Sequence, residues 1–236
     1  MKVAILQCDD VLDKFQTEFG NYPEMIMDML SNHASQLEYE TFDVRKAQYP
    51  ERLDDFEFFV ITGSKASVYD DECWIKNFIA FIRNLYGKDK KLLGICFGHQ
   101  IIAAALGAKV EKSEKGWGVG VANNSLISTK AWFEHDRLEL NILVSHQDQV
   151  TELPEEADVI AQSDFCPNFL VQWNKTTLSV QGHPEWVKGY SNALMLHRKD
   201  IIPKEVLSKG IGSLSQDLDN AVFTRYLFKF FKIKGV

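Results

Sequence analysis

Short apolar runs alternate with longer stretches of helical periodicity through the first half of the chain. The apolar runs predict buried strands, and the segment around Leu37 to Phe42, in which apolar and polar residues alternate, predicts another. The predicted strands are 3–6, 37–42, 56–61 and 92–95, and the helical patterns cover 23–30, 74–82 and 100–106. Strands that alternate with helices indicate βαβ units and a mostly parallel central sheet flanked by helices.

The second half of the chain has a different pattern. Five short apolar segments, separated by polar or proline-containing turns, predict further strands, some of them antiparallel: 124–128, 140–145, 159–162, 169–172 and 178–181. Helices over 187–197 and 219–231 follow, and the phenylalanines of the second are spaced as a core-facing stripe. We therefore expect one α/β domain over residues 1–236, with a smaller antiparallel portion.

Composition narrows the classes of function. The chain has 236 residues with 26 basic and 33 acidic side chains, a formal net charge of −7. This acidic balance favours neither nucleic acid nor an anionic membrane surface as a partner. The apolar run at the N-terminus is too short for a signal peptide, and no apolar stretch approaches the ~20 residues of a membrane span. These features predict a soluble, cytoplasmic protein.

The four cysteines do not form a metal or disulfide pattern. No two of them make a C-x-x-C pair, which gives no support to a structural zinc site or a disulfide scaffold. We expect Cys8, Cys73 and Cys166 to be buried, unreactive thiols. We also expect that no metal or cofactor is required.

Cys96 stands at a junction where a predicted strand runs into a helix with almost no loop. Gly94 and Gly98 flank it, and glycine at both positions allows the strand and helix backbones to approach closely. A sulfur at a helix N-terminus is favoured as the thiolate, and the N–H of Phe97 is placed to bind an oxyanion. From these residues alone, two other interpretations of Cys96 remain. It is an unreactive cysteine buried in the core, or it forms half of a metal site with His99, for which the other ligands are missing.

A histidine with a suitable setting follows the last predicted strand. His183 lies at a strand end, where open α/β sheets place their sites, and Glu185 is two residues further on. If the chain stays extended through Pro184, both side chains point to one side. The carboxylate can then accept a hydrogen bond from one imidazole nitrogen and leave the other for the Cys96 sulfur.

These two segments together resemble the class I glutamine amidotransferases. Gly94-Ile95-Cys96-Phe97-Gly98-His99-Gln100 is similar to their G-x-C-x-G-x-Q pattern, and His183-Pro184-Glu185 to their H-P-E. The likeness is strongest to the glutaminase part of GMP synthetases and to plant γ-glutamyl peptidases. It implies a flavodoxin-like glutaminase fold with a nucleophile elbow, in which Cys96 is the nucleophile, His183 the acid and base, and Glu185 its orienting partner.

The resemblance also implies roles for three further segments. The Gly63-Ser64 turn would supply a second oxyanion N–H, Gln100 would contact the substrate amide, and Ser145, His146 and Asp148 would bind the amino-acid end of glutamine. The sequence departs from the family pattern at four places, which leave the catalytic chemistry intact but bear on which substrate and which partner the protein has. Gly63-Ser64 replaces Gly-Gly, Gln147 replaces a glycine, Trp186 follows the glutamate, and the usual His-Thr pair after it is absent.

The resemblance predicts hydrolysis of the γ-amide of glutamine through a cysteine thioester, with release of glutamate and ammonia. A separate synthetase chain would then use the ammonia. The alternative is a free-standing γ-glutamyl peptidase that acts on γ-glutamyl peptides or conjugates. A non-catalytic binding protein on the same scaffold is a third hypothesis, which the intact triad disfavours. Phe97 in place of a histidine directly after the cysteine disfavours the intracellular Cys-His proteases of this superfold.

Overall fold

The structure is a computed structural model that describes residues 1–34, 36–128, 130–133 and 137–233. Its strands are β1 (Lys2–Gln7), β2 (Glu38–Asp43), β3 (Phe58–Ile61), β4 (Lys91–Ile95), β5 (Lys109–Lys112), β6 (Gly118–Leu126), β7 (Glu139–His146), β8 (Asp148–Glu152), β9 (Asp158–Gln162), β10 (Leu170–Gln172) and β11 (Thr177–Val180). Its α-helices are α1 (Asp13–Phe19), α2 (Tyr22–Ser31), α3 (Cys73–Gly87), α4 (Phe97–Ala105), α5 (Lys188–His197), α6 (Lys204–Ser213) and α7 (Asn220–Phe231).

One large sheet organises the described part of the chain. Its strand order is β2-β1-β3-β4-β11-β10-β9-β6-β7, and a separate antiparallel pair is formed by β5 and β8. The strands from β2 to β11 in this order are parallel, whereas the pairs from β11 onward to β7 are antiparallel. The predicted α/β class, a mostly parallel sheet with an antiparallel portion, is confirmed.

The sheet separates two apolar layers. Alternate residues of β1 point to opposite faces, so Val3 and Ile5 enter one layer while Ala4 and Leu6 enter the other. Helices α2 and α7 cover the first layer, where the rings of Phe58 and Phe231 lie 4.7 Å apart. Helices α3 and α4 cover the second layer. The phenylalanines of α7 are core residues, as their spacing predicts.

Elements with a weak apolar pattern were not predicted from the sequence. Helix α1 buries no residue, and α6 buries only Gly210. The small sheet of β5 and β8 is largely polar, with Val150 as its fully buried apolar side chain. Hydrophobic periodicity detects only those elements that bury an apolar face, so these elements have no such signal.

Cys73 corrects one expectation. It is exposed, whereas Cys8 and Cys166 are buried as predicted. Helix α3 buries Ile75, Phe78, Ile82 and Leu85. Cys73 precedes Ile75 by two residues, which is ~200° around the helix, and therefore lies on the solvent side.

The parallel strands bring three chain segments to one edge of the sheet. β4 lies between β3 and β11, and its last residue Ile95 pairs with Val180, the last residue of β11. The segments that follow β3, β4 and β11 therefore begin side by side. They carry Gly63, Cys96 and His183. No helix among the described residues is both long enough and apolar enough to cross a membrane.

Candidate active site

Cys96 occupies a strained turn between β4 and α4. Its φ of 52° and ψ of −100° are rarely adopted by a residue with a side chain. A Cβ on Gly94 would collide with the backbone of Gly98, and one on Gly98 would lie 2.7 Å from the Ile61 carbonyl oxygen. The two glycines therefore let α4 pack directly against β3 and β4, and the turn presents the sulfur at the helix N-terminus.

His183 and Glu185 lie against this turn. The His183 Nδ1 and Glu185 Oε1 atoms are 2.7 Å apart, and both side chains are almost fully buried. The backbone N–H of His183 donates to the Leu143 carbonyl at 2.7 Å, which fixes the segment to β7. With Nδ1 used by the carboxylate, Nε2 is the nitrogen available to Cys96.

The pKa of His183 reflects two opposing effects. Burial lowers it, but the Cys96 sulfur and the Glu185 carboxylate, each by charge and by hydrogen bonding, raise it to about 9. Negative neighbours favour the charged form of an imidazole. The arrangement therefore stabilises the protonated form of the His183 imidazole.

The Gly63-Ser64 turn, which is predicted to bind the oxyanion, lies beside His183 and Cys96. A Cβ on Gly63 would be 2.9 Å from His183 Cε1 and 3.8 Å from Cys96 Cβ, so only a glycine fits beside the imidazole. The Ser64 hydroxyl accepts from the Ala66 N–H at 3.1 Å. Phe97 is the first residue of α4, where the backbone N–H has no acceptor within the helix.

Gln181 is a site residue that the sequence analysis did not identify. Its Nε2 donates to the Cys96 sulfur at 3.5 Å, and its Oε1 accepts from Gln100 Nε2 at 3.1 Å. Gln100 Nε2 also donates to the Asp148 carbonyl at 2.9 Å. A signal was present, since Gln181 is a polar residue that ends an apolar strand two positions before His183.

The segment of Ser145, His146 and Asp148 forms one wall of the cleft above Cys96. The Ser145 hydroxyl accepts from Arg198 Nη1 at 2.7 Å, and the Ser67 hydroxyl donates to Asp148 Oδ2 at 2.5 Å. His146 is buried, and burial lowers its pKa to about 4, so its ring is neutral near pH 7. The His146 Nδ1, which lies 3.1 Å from the Asp148 carbonyl, then carries the proton.

His99 lies outside the cluster around the sulfur. It is fully buried, and its Nδ1 is 2.7 Å from the Ser179 hydroxyl. Burial lowers the pKa of His99 to about 3. It packs in the core as the sequence interpretation expects, but its hydrogen bond joins it to a residue of β11, 80 positions away, rather than to a neighbour in the chain. Among the described residues, no group of three His, Cys, Asp or Glu side chains could hold a metal ion.

The cluster opens into a cleft of about 290 Å³. Cys96, Gln100, Ser145, His146 and Asp148 line it, together with Ser64. The predicted triad, the oxyanion turn and the substrate-binding segment are thus brought together in space.

A family comparison decides the classification. Residues 18–201 match the family model for the glutamine amidotransferase class-I domain. The chain belongs to the class-I glutamine amidotransferase family. The family resemblance carried by the Cys96 and His183 motifs is confirmed.

Relatives within the glutamine amidotransferase family differ in their named activities. The chain is 31% identical over 222 residues to γ-glutamyl peptidase 2 of Arabidopsis thaliana, covering 91% of this chain and 89% of that protein. It is 30% identical over 168 residues to the glutamine-hydrolysing GMP synthase subunit of Archaeoglobus fulgidus, covering 71% and 85%. A glutamine amidotransferase structure from Methylobacillus flagellatus has the same fold, with a TM-score of 0.77 at 17% identity and coverage of 100% and 95%.

Proposed function

We propose that this protein hydrolyses γ-glutamyl amide bonds through a thioester on Cys96. The observation that carries the proposal is the buried Cys96–His183–Glu185 cluster at a strained strand–helix turn. A nucleophile, a base within reach and a group that orients the base are the minimum for acyl transfer. Membership of the glutamine amidotransferase family supports the same reaction class.

The reaction would proceed in two steps. The Cys96 thiolate attacks the γ-carbonyl carbon, and the carbon–nitrogen bond breaks as His183 Nε2 gives its proton to the leaving nitrogen. A water molecule then attacks the thioester, His183 accepts a proton from it, and glutamate leaves as the sulfur is released. The N–H groups of Phe97 and of the Gly63-Ser64 turn would stabilise both oxyanions, each by ~3 kcal/mol.

The glutamyl end of the substrate would bind to the wall formed by Ser145, His146 and Asp148. Both Nε2 hydrogens of Gln100 are used within the protein, on Asp148 and Gln181. We therefore propose that Gln100 contacts the substrate through its Oε1 oxygen. Its hydrogen bonds also fix the position of Gln181 beside the sulfur.

The space beyond the sulfur favours a leaving group larger than ammonia. A second pocket of about 440 Å³ adjoins the cleft, and Lys65, Arg198 and Ile201 line both. The Arg198 guanidinium lies over the Trp117 ring at 5.6 Å, and within the described chain no carboxylate lies in ion-pair distance of it. Asp9, Asp10 and Asp200 also line the second pocket, and Lys65 is paired with Asp9. Arg198, at the boundary with the cleft, is therefore the cation that suits the free carboxylate of an amino acid or dipeptide.

We therefore propose γ-glutamyl peptides as the substrate class, in line with the named activity of the Arabidopsis relative. The second candidate is the hydrolysis of glutamine itself, with ammonia used by a separate synthetase. The similarity to the GMP synthase chain of Archaeoglobus favours this candidate.

Three substrates separate the two candidates. Purified protein is given glutamine, γ-glutamyl-glycine and γ-glutamyl-glycinamide, and glutamate release is measured. We expect kcat/KM to be at least about tenfold higher for γ-glutamyl-glycine, because only this substrate offers a leaving-group carboxylate to Arg198. Arg198→Gln should remove this preference. Preference for glutamine would favour the amidotransferase candidate, and hydrolysis of none would contradict the proposal.

A further inference from the structure

Trp186, which follows Glu185 directly, lies flat against the imidazole of His183. The two ring centroids are 3.5 Å apart and the ring planes differ by 9°. The indole is buried, with 2% of its surface exposed. One face of the imidazole is therefore covered by an aromatic ring over its whole area.

Trp186 is itself fixed in place. The edge of Tyr190 packs against it with centroids 4.8 Å apart and an interplanar angle of 84°. The Asn220 side-chain amide donates to the Trp186 carbonyl at 2.9 Å. The Tyr190 hydroxyl lies 3.4 Å from that of Tyr22, which extends this packing to α2. The indole is therefore a rigid surface.

Together these contacts confine the imidazole on several sides. Glu185 accepts at Nδ1, the Gly63 backbone closes on Cε1, and Trp186 covers a face. A quarter turn of the imidazole about its Cβ–Cγ bond would break the stack and bring the ring edge against the indole, whereas a half-turn would keep the stack but take Nδ1 away from Glu185. The stack therefore fixes the plane of the ring, and the hydrogen bond between Nδ1 and Glu185 selects the orientation within that plane in which Nε2 faces Cys96.

The indole also has an electrostatic effect that an aliphatic side chain would not have. The face of an indole is negative and attracts a cation, which here is the protonated form of His183. The titratable groups that face His183 are Cys96, Glu185 and His146, with Tyr190 behind Glu185. Trp186 adds to the effect of Cys96 and Glu185, whereas the ring of His146 is neutral near pH 7 and carries no charge against it.

We propose that Trp186 is a positioning residue, which orients the His183 ring toward Cys96 and stabilises its protonated form through the indole face. This inference rests on the proposed function for its kinetic consequence, but its spectroscopic consequence does not depend on turnover. In the sequence, Trp186 stands out only as a departure from the family pattern.

Trp186 fluorescence provides the direct test. A stacked imidazolium quenches indole emission, so the emission difference between the wild type and Trp186→Phe should increase as His183 loses its proton near pH 9. The chain has five tryptophans, and this difference isolates one of them. His183→Gln should abolish the transition, and Cys96→Ser should move it to lower pH because the sulfur charge is removed.

Trp173 gives a matched control for this titration. It is also 2% exposed, but its indole N–H donates at 2.7 Å to Ser179, the residue that contacts His99, and its ring is not stacked on His183. The emission difference between the wild type and Trp173→Phe should therefore show no such transition. Absence of a pH transition in the Trp186 signal, or its persistence in His183→Gln, would overturn the proposal even if the protein had no hydrolytic activity.

Two substitutions at Trp186 separate positioning from simple filling of space. Trp186→Phe retains an aromatic face and should keep kcat within about threefold of the wild type. Trp186→Leu keeps an apolar contact but no π face, and should lower kcat by about tenfold with little change in KM. The alkaline limb of its kcat/KM profile should move about half to one pH unit lower. If both folded variants have the wild-type pH profile, or lose activity equally, the role is only structural.

Discussion

Two buried histidines lie near β11 and have opposite protonation states: His99 contacts Ser179 on this strand, and His183 follows its end. The pKa of His183 is raised to about 9, whereas that of His99 is lowered to about 3. Both rings are almost completely removed from water. Burial, which lowers the pKa of each, therefore cannot account for the difference between them.

The neighbours of the two rings account for it. His99 faces the neutral hydroxyl of Ser179, which also accepts from the Trp173 indole, and the positive form of His146 would repel it. His183 lies between the Cys96 sulfur and the Glu185 carboxylate. Two buried rings of the same protein therefore differ in pKa because only His183 has two acidic neighbours. A raised pKa suits a group that must hold and then donate a proton.

The largest expected effect comes from removing the sulfur. Cys96→Ser should lower kcat by about 10⁴-fold or more, because both the nucleophile and the charge that raises the pKa of His183 are lost. Glutamate release from a γ-glutamyl substrate measures this. Cys73→Ser, at an exposed thiol on the outer side of α3, is the matched control and should retain full activity. Comparable rates in both variants would contradict the role of Cys96.

Glu185→Gln should make the surroundings of His183 more like those of His99. The neutral amide lowers the pKa of the ring and can donate to Nδ1, which favours the tautomer with its proton on the nitrogen that faces the sulfur. We expect kcat to fall by about 10² to 10⁴-fold. An NMR titration of the imidazole checks the pKa shift. An unchanged pKa and rate would show that the carboxylate has no orienting role.

Gly63→Ala tests the packing that confines His183 beside its acidic partners. The added methyl would lie 2.9 Å from Cε1, so the ring or the turn must move, and a displacement of this size should cost about 10²-fold in kcat/KM. Gly87→Ala, at the end of α3 where an added methyl meets no atom within 4 Å, is the control. It should leave activity unchanged and stability within about 1 kcal/mol. Equal effects at both positions would refute the close approach.

The smallest expected effect is on stability, and its sign differs between the two histidines. Because the folded pKa of His183 is above 6.5, its stabilisation is complete below pH 6.5 and is lost as the pH rises through about 9. This loss amounts to roughly 3 kcal/mol at most. For His99, whose folded pKa is depressed, stability is lost as the pH falls from 6.5 toward about 3.

Urea denaturation across this pH range measures both changes. His183→Gln should flatten the alkaline decline in the free energy of unfolding, and His99→Gln should flatten part of the acid decline. If each substitution instead changed stability by the same amount at every pH, the assigned protonation states would be wrong.

The parallel half of the fold could be predicted because its strands and helices bury apolar faces. The Cys96 turn could be predicted because close packing of strand and helix requires the glycines at positions 94 and 98. The contact between His183 and Glu185 could be predicted because residues two apart in an extended chain point to the same side. Gln181 had a signal, a polar residue at the end of an apolar strand, but its contacts to Cys96 and Gln100 join residues distant in sequence. Arg198 and the stacking of Trp186 could not be predicted, since the contact of Arg198 is also distant in sequence and the stack depends on ring orientation. The prediction that Cys73 is buried is wrong because it used only the general tendency of free cysteines to be buried. Cys73 is exposed because it lies on the face of α3 opposite its buried residues.

The central claim, that Cys96 carries the acyl intermediate, can be tested by rapid acid quenching during turnover of γ-glutamyl-glycine, followed by mass spectrometry of the digested protein. The peptide containing Cys96 should gain the mass of one glutamyl group, and the same peptide from Cys96→Ser should not. Sustained hydrolysis of the substrate with no glutamyl group on that peptide, together with undiminished hydrolysis by the Cys96→Ser protein, would contradict it.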